Sequence, residues 1–168
     1  MASKYLGLNA GVPTEVEGLV QSAGAADAGK IPALDATGKL DETLLPTGIG
    51  ADVAVIEATE NLSAGDFVNV YNSGGAKCRK ADASTTGKHA HGFVLDGVTS
   101  GNQATVYFEG TNGQVEGATP GDVYLSATTP GGFTATAPSG AGKVVQRLGI
   151  ATSATSINAE CGQHYVLS

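Results

Sequence analysis

Two histidines spaced as His89-Ala90-His91 are the residues of this sequence best suited to chemistry. On an extended strand, positions two apart share a face, so both imidazoles can meet one ligand or one proton. A zinc ion needs at least a third protein ligand. His164 and Cys161 are the remaining soft candidates, and both stand near the far end of the chain with no pattern drawing them to the pair. No metal is expected here. The pair reads instead as a surface or interface strand position. Where copies pack around a symmetry axis, His89 or His91 can stack there and make assembly sensitive to pH.

Other chemistry lacks partners. Cys78 lies between Lys77 and Arg79, whose charge can lower a thiol pKa, but no base stands near it in sequence and a thiolate alone is not an enzyme. There is no Gly-x-Ser-x-Gly elbow, no P-loop and no dinucleotide fingerprint. Carboxylates occur singly, at Asp66, Asp82, Asp96, Glu109, Glu116 and Asp122. Glycosidase chemistry needs two of them across one cleft, which spacing alone leaves open. Asp66 and Asp122 occupy matching turn positions, so a turn role, with the carboxylate accepting backbone N–H bonds, accounts for both. The chain is read as non-enzymatic and without a cofactor.

The elements that must carry these residues are strands. The 168 residues include 25 Gly and no Trp, and only 15% are charged. Such a chain suits short strands joined by tight turns, where Gly supplies positive φ. Runs rich in β-branched and aromatic residues predict strands near 53–58, 67–71, 76–81, 90–95, 105–109, 123–126, 132–135, 144–151, 156–159 and 164–167. Turn signals separate them: Ser-Ala-Gly-Asp, Asn-Ser-Gly-Gly, Thr-Asn-Gly, Thr-Pro-Gly-Asp and Thr-Pro-Gly-Gly. The expected fold is all-β, an internally duplicated barrel, roll or sandwich over residues 52–168, preceded by an extended, mostly irregular arm over 1–51. In the arm, AGAADAGK (23–30) reads as small and flexible, Asp35 to Gly38 as a turn, and Asp41 as the cap of one helical turn through Leu45 that Pro46 stops. Its apolar residues Ile31, Leu34, Leu40, Leu44 and Leu45 show no periodic face, so they cannot build a core alone and are candidates for contact with another subunit.

The duplication rests on turn landmarks repeated in order. Gly65-Asp66-Phe67 returns as Gly121-Asp122-Val123, Gly74-Gly75 as Gly131-Gly132, Gly87-Lys88 as Gly142-Lys143, and His91-Gly92-Phe93-Val94 as Leu148-Gly149-Ile150-Ala151. The copies span about 62–101 and 118–154. Residues 103–116 are expected to join them as a hairpin with Asn112-Gly113 as its turn. A net charge of −7 argues against a nucleic-acid partner, and the basic trio Lys77, Arg79 and Lys80 reads as a charged strand face. No apolar run is long enough to span a membrane, and no secretory signal opens the sequence.

The run Leu62-Ser63-Ala64-Gly65-Asp66-Phe67-Val68, with Lys80-Ala81-Asp82-Ala83 and Ala90-His91-Gly92-Phe93-Val94, resembles small β modules of tailed-phage virion proteins. So do Gly121-Asp122-Val123-Tyr124-Leu125-Ser126, Pro130-Gly131-Gly132 and Val145-Gln146-Arg147-Leu148-Gly149-Ile150-Ala151. Lys30-Ile31-Pro32-Ala33-Leu34-Asp35-Ala36-Thr37-Gly38-Lys39-Leu40-Asp41 is similar to linkers of phage fibre proteins. The resemblance implies a virus structural protein and a homotrimer, with no catalytic residues. A compact body with an extended arm fits a head decoration (cement) protein on the outer shell, partnered by the major capsid protein. The alternative is a tail-fibre, head-fibre or baseplate component that binds host glycans. Synthesis in the host cytoplasm, final location on the virion, and no direct contact with nucleic acid or membrane complete the expectation.

Overall fold

The computed structural model of the chain describes residues 4–45 and 50–168. The chain divides into two compact units, Met1–Gly50 and Ala51–Ser168. The structure is nearly all β, and its helical content is two 3-10 turns, Ala25–Asp27 and Glu42–Leu44, among the described residues.

The first unit contains a hairpin where an irregular arm is expected. Strand β1 (Lys4–Asn9) pairs antiparallel with β2 (Val12–Glu17), in register from Lys4↔Glu17 to Asn9↔Val12. Two residues make the turn, Ala10 at φ 50° and Gly11 at φ 85°. That left-handed pair matches the right-handed strand twist, which is why two-residue hairpins favour it. The rest of the unit is tied together by polar groups. Leu19 N–H donates to Ile31 O at 2.9 Å and Ala33 N–H to Leu19 O at 2.8 Å. Asp41 accepts from Thr43 N–H at 3.0 Å, capping the Glu42–Leu44 turn as the sequence suggests, and its other oxygen accepts from Gln21 Nε2 at 3.0 Å. The stretch at 23–30 is a built turn rather than a loose one, with Asp27 accepting from Ala23 N–H and from the Lys30 ammonium, each at 2.6 Å. Pro46, the expected stop, lies outside the described residues. None of the described side chains of this unit is buried.

The second unit holds all the buried residues among those described. Strands β3 (Val53–Ala58), β4 (Phe67–Asn72), β5 (Ala76–Lys80), β6 (Gly92–Val94) and β7 (Gln103–Tyr107) close a barrel in the order β3-β5-β4-β6-β7. Strands β8 (Glu109–Asn112), β9 (Gly121–Leu125), β10 (Phe133–Thr134), β11 (Val144–Ser153) and β12 (Ser156–Glu160) follow as a sheet ordered β10-β9-β11-β12-β8, with β13 (His164–Val166) paired to the first residues of β11. Written from β5, the barrel reads β5-β4-β6-β7-β3, which is the order of the second sheet strand for strand.

This match redraws the joint between copies. The expected hairpin over 103–116 does not form: β7 pairs with β3 and β6, whereas β8 pairs with β12. Asn112 is fully buried, and its Nδ2 donates to Gly65 O at 2.9 Å, tying the start of the second copy to a turn of the first. Gly113, which the expected turn would place at positive φ, does not take it.

The two copies also end differently. The β3–β5 pairs that close the barrel are Glu57↔Lys77 and Ala58↔Cys78, a short parallel contact at the end of a six-residue strand. Its counterpart β8 has four residues. The chain turns away at Gln114, whose N–H donates to Asn112 Oδ1 at 3.2 Å, before it can reach β10. The second sheet therefore stays open.

Strand alternation sorts the core into two clusters. Ile56, Ala58, Leu62, Val68, Cys78, Val94, Ala104 and Val106 fill the barrel. The neighbouring position along a strand turns outward, so Phe67 and Phe93 join Val123, Leu125, Leu148 and Ile157 in a larger cluster between barrel and sheet. The two Phe rings lie 6.2 Å apart, tilted by 59°.

Candidate functional site

The strand expected over 90–95 is shorter than its apolar content suggests, and its loss at the front builds the site. Only Gly92–Val94 pairs in a ladder. Ahead of it, the N–H and C=O of Ala90 are taken by one side chain: Ala90 N–H donates to Gln146 Oε1 at 2.7 Å, and Gln146 Nε2 donates back to Ala90 O at 2.8 Å. The same Nε2 donates to Gly162 O at 3.0 Å. Gln146, which follows Val144 and Val145 on β11, is 2% exposed and serves as a buried strut. It draws residues 88–91 and the 162–164 segment to one strand.

The consequence is a meeting of histidines that spacing along the chain conceals. The ring of His89 stacks on that of His164, centroids 3.8 Å apart and planes within 14°. His91 packs edge-on to His89 at 4.4 Å. All three histidines of the chain are thus in one cluster. His89 and His91 do come together, though as part of a side-chain-anchored segment rather than of a strand. Their stacking partner belongs to the same chain.

The surroundings of His89 and His91 oppose protonation. His91 Nδ1 accepts from Val70 N–H at 3.0 Å, which places the ring proton of the neutral form on Nε2. His91 is held below the usual histidine pKa by burial and then by the charge of His164. His89 is likewise lowered, first by burial, then by His91 and His164. Its Nδ1 is buried and meets no hydrogen-bond partner among the described residues. Above the cluster, Asn69 Nδ2 donates to His89 O at 2.7 Å, while Asn69 Oδ1 accepts from Arg79 Nε at 3.1 Å.

The stacked pair His89 and His164 does not suit a shared metal ion. A metal ion lies in the plane of each imidazole that binds it, and two nearly parallel rings share no such plane. Among the described residues no group of three or more His, Cys, Asp or Glu side chains is arranged to hold an ion. Cys161 packs against the larger core, and burial pushes its thiol up to about 12. Cys78 corrects the expectation raised by its cationic neighbours. It points into the barrel, away from Lys77 and Arg79, and burial raises its pKa.

The basic trio is fully engaged. Lys77 pairs with Glu57 and Lys80 with Asp66, and the Arg79 guanidinium sits 4.2 Å over the Tyr71 ring. Asp66 keeps the expected turn role, accepting from Ser63 N–H at 2.7 Å, whereas Asp122 pairs with Arg147 Nε at 2.8 Å instead.

In the first unit, Ile31, Leu34, Leu40 and Leu45 are exposed and Leu44 is half-buried in its 3-10 turn. Ile31 and Leu34 line a recess of about 290 Å³ with Lys4, Tyr5, Gly18, Pro32 and Ala33. The hairpin adds apolar residues beyond those five candidates: Leu6 is 77% exposed and Leu8 76%. Two six-residue runs flanking Ala10-Gly11 were the available signal. Comparison of the chain with protein-family models, with curated proteins and with solved structures finds no match.

Proposed function

We propose that this chain is a non-enzymatic structural protein of a tailed-phage particle, a decoration protein that binds the major capsid protein on the outer head shell and stabilises it as a homotrimer. One observation carries the reading. The second unit owns a full core, while the first buries no described side chain and yet displays Leu6, Leu8, Ile31, Leu34 and Leu40. Burying one such side chain contributes about 1.5–3 kcal/mol, so a partner surface supplies what the unit cannot supply itself. A self-sufficient body with a partner-seeking segment is the division of labour a cement protein requires. The acidic balance, −7 overall, suits an exterior position away from packaged DNA.

The test is imaging of labelled full-length protein on intact particles, with a version lacking residues 1–45 as comparison. Label over the head shell, lost on truncation, supports the proposal. Label confined to the tail, or glycan binding by residues 51–168, replaces it with a fibre or baseplate adhesin.

A further inference from the structure

We infer that His89, His91 and His164 form an acid-sensitive latch that holds the C-terminal strand β13 against β11 near neutral pH and releases it as the medium acidifies. The geometry of the cluster carries this. The three rings come from two segments that meet only on β11: His89 and His91 precede β6, and His164 opens β13. When neutral, stacked and edge-on aromatic rings attract. When protonated, they become like charges about one ring thickness apart, partly shielded from water.

Among the described residues nothing nearby balances that charge. From β4 the cluster meets the neutral Asn69 and the N–H of Val70. From β5, Arg79 donates to that Asn69 and to Gly87 O at 2.9 Å. Lys88 adjoins His89 along the chain. From β11 comes the neutral amide of Gln146, and from the link before β13 comes Cys161, whose thiol is uncharged with a pKa of about 12. The acidic residues nearest along the chain are Glu160, which ends β12 ahead of His164, Asp96 after His91, and Asp82, whose carboxylate accepts from Ser84 N–H at 2.7 Å. Among the described residues no carboxylate forms an ion pair with any of the three rings. A charge on His91 also requires a proton at Nδ1, where Val70 N–H already points.

The strand that the latch holds has little else to hold it. β13 pairs with β11 through Val144↔Val166, Val145↔Tyr165 and Gln146↔His164, and His164, Tyr165 and Val166 are all exposed. The direction with pH follows from linkage. In the closed form His89 and His91 bind a proton less readily than the ordinary value of 6.5. Once His164 leaves, both lose its charge and move back toward that value. The open form therefore carries more protons, and falling pH below about 6.5 favours it, by about tenfold per pH unit for each extra proton bound.

Hydrogen exchange of the full chain between pH 7.5 and 5, corrected for intrinsic rates, tests this. The amide of Leu167, which donates to Lys143 O at 2.9 Å, is the reporter, and barrel amides such as Val106 are the control. Reporter protection should fall tenfold or more relative to the barrel at pH 5. His164→Phe, which keeps a stacking ring without its charge, should weaken that dependence. Unchanged reporter protection at pH 5, or equal loss of protection in the barrel, overturns the latch. A His164→Phe chain as acid-sensitive as the parent overturns it too.

Discussion

At the scale of single residues, two glycines mark where the copies are most alike. Gly92 and Gly149 sit inside strands, each facing a neighbouring backbone: a Cβ at Gly92 would run into the carbonyl oxygen of Tyr107, and one at Gly149 into that of Asn158. Gly149 also takes φ 145°, which side chains disfavour. Each glycine lets β6 or β11 press against its neighbour, β7 or β12. Gly92→Ala and Gly149→Ala should each cost about 2–4 kcal/mol in urea unfolding, the larger loss falling at Gly149, where strain adds to overlap. The Gly-Phe-Val and Gly-Ile-Ala repeat made these positions visible in sequence. Gln146 was not visible in that way. A glutamine between Val145 and Arg147 carries no local sign that both backbone groups of Ala90 and the carbonyl of Gly162 will converge on it.

At the scale of elements, legibility followed the range of the interaction. Strands such as Val53–Ala58 and Phe67–Asn72 stood out because β-branched runs and their bounding Gly turns are local properties. The hairpin expected over 103–116 failed because Asn-Gly resembles a turn wherever it occurs, while burial of Asn112 depends on Gly65, 47 residues earlier. The histidine cluster has the same cause: His164 reaches His89 only through the pairing of β13 with β11. The β1–β2 hairpin was hidden for the opposite reason. Its turn uses alanine at φ 50°, where Asn or Gly is the usual signal. Ala10→Gly should relieve that strain and slow amide exchange across β1 and β2, corresponding to a gain of about 0.5–1 kcal/mol.

At the scale of the whole molecule, the two units differ in what keeps them ordered. Residues 51–168 bury Phe67, Phe93, Leu125, Leu148 and Ile157 in a core shared by both copies. The first unit relies on exposed hydrogen bonds and ion pairs such as Lys4–Glu15 at 3.0 Å, each contributing little in water. A chain of residues 51–168 alone should therefore unfold in urea with a midpoint and slope close to those of the main transition of the full chain. A loss above about 1 kcal/mol would show that the first unit also supports the core.

The barrel closes through pairs such as Val53↔Tyr107, so every residue it needs has been synthesised once Tyr107 emerges. Its outward Phe67 and Phe93, however, are covered by Leu148 and Ile157, which come from the second copy. At about 5–20 residues per second, a growing chain carries a closed barrel with an uncovered aromatic face for several seconds. The order of synthesis thus makes the first copy a sticky intermediate and the second its intramolecular chaperone. A released chain ending at residue 107 should aggregate, where one ending at residue 160 should not.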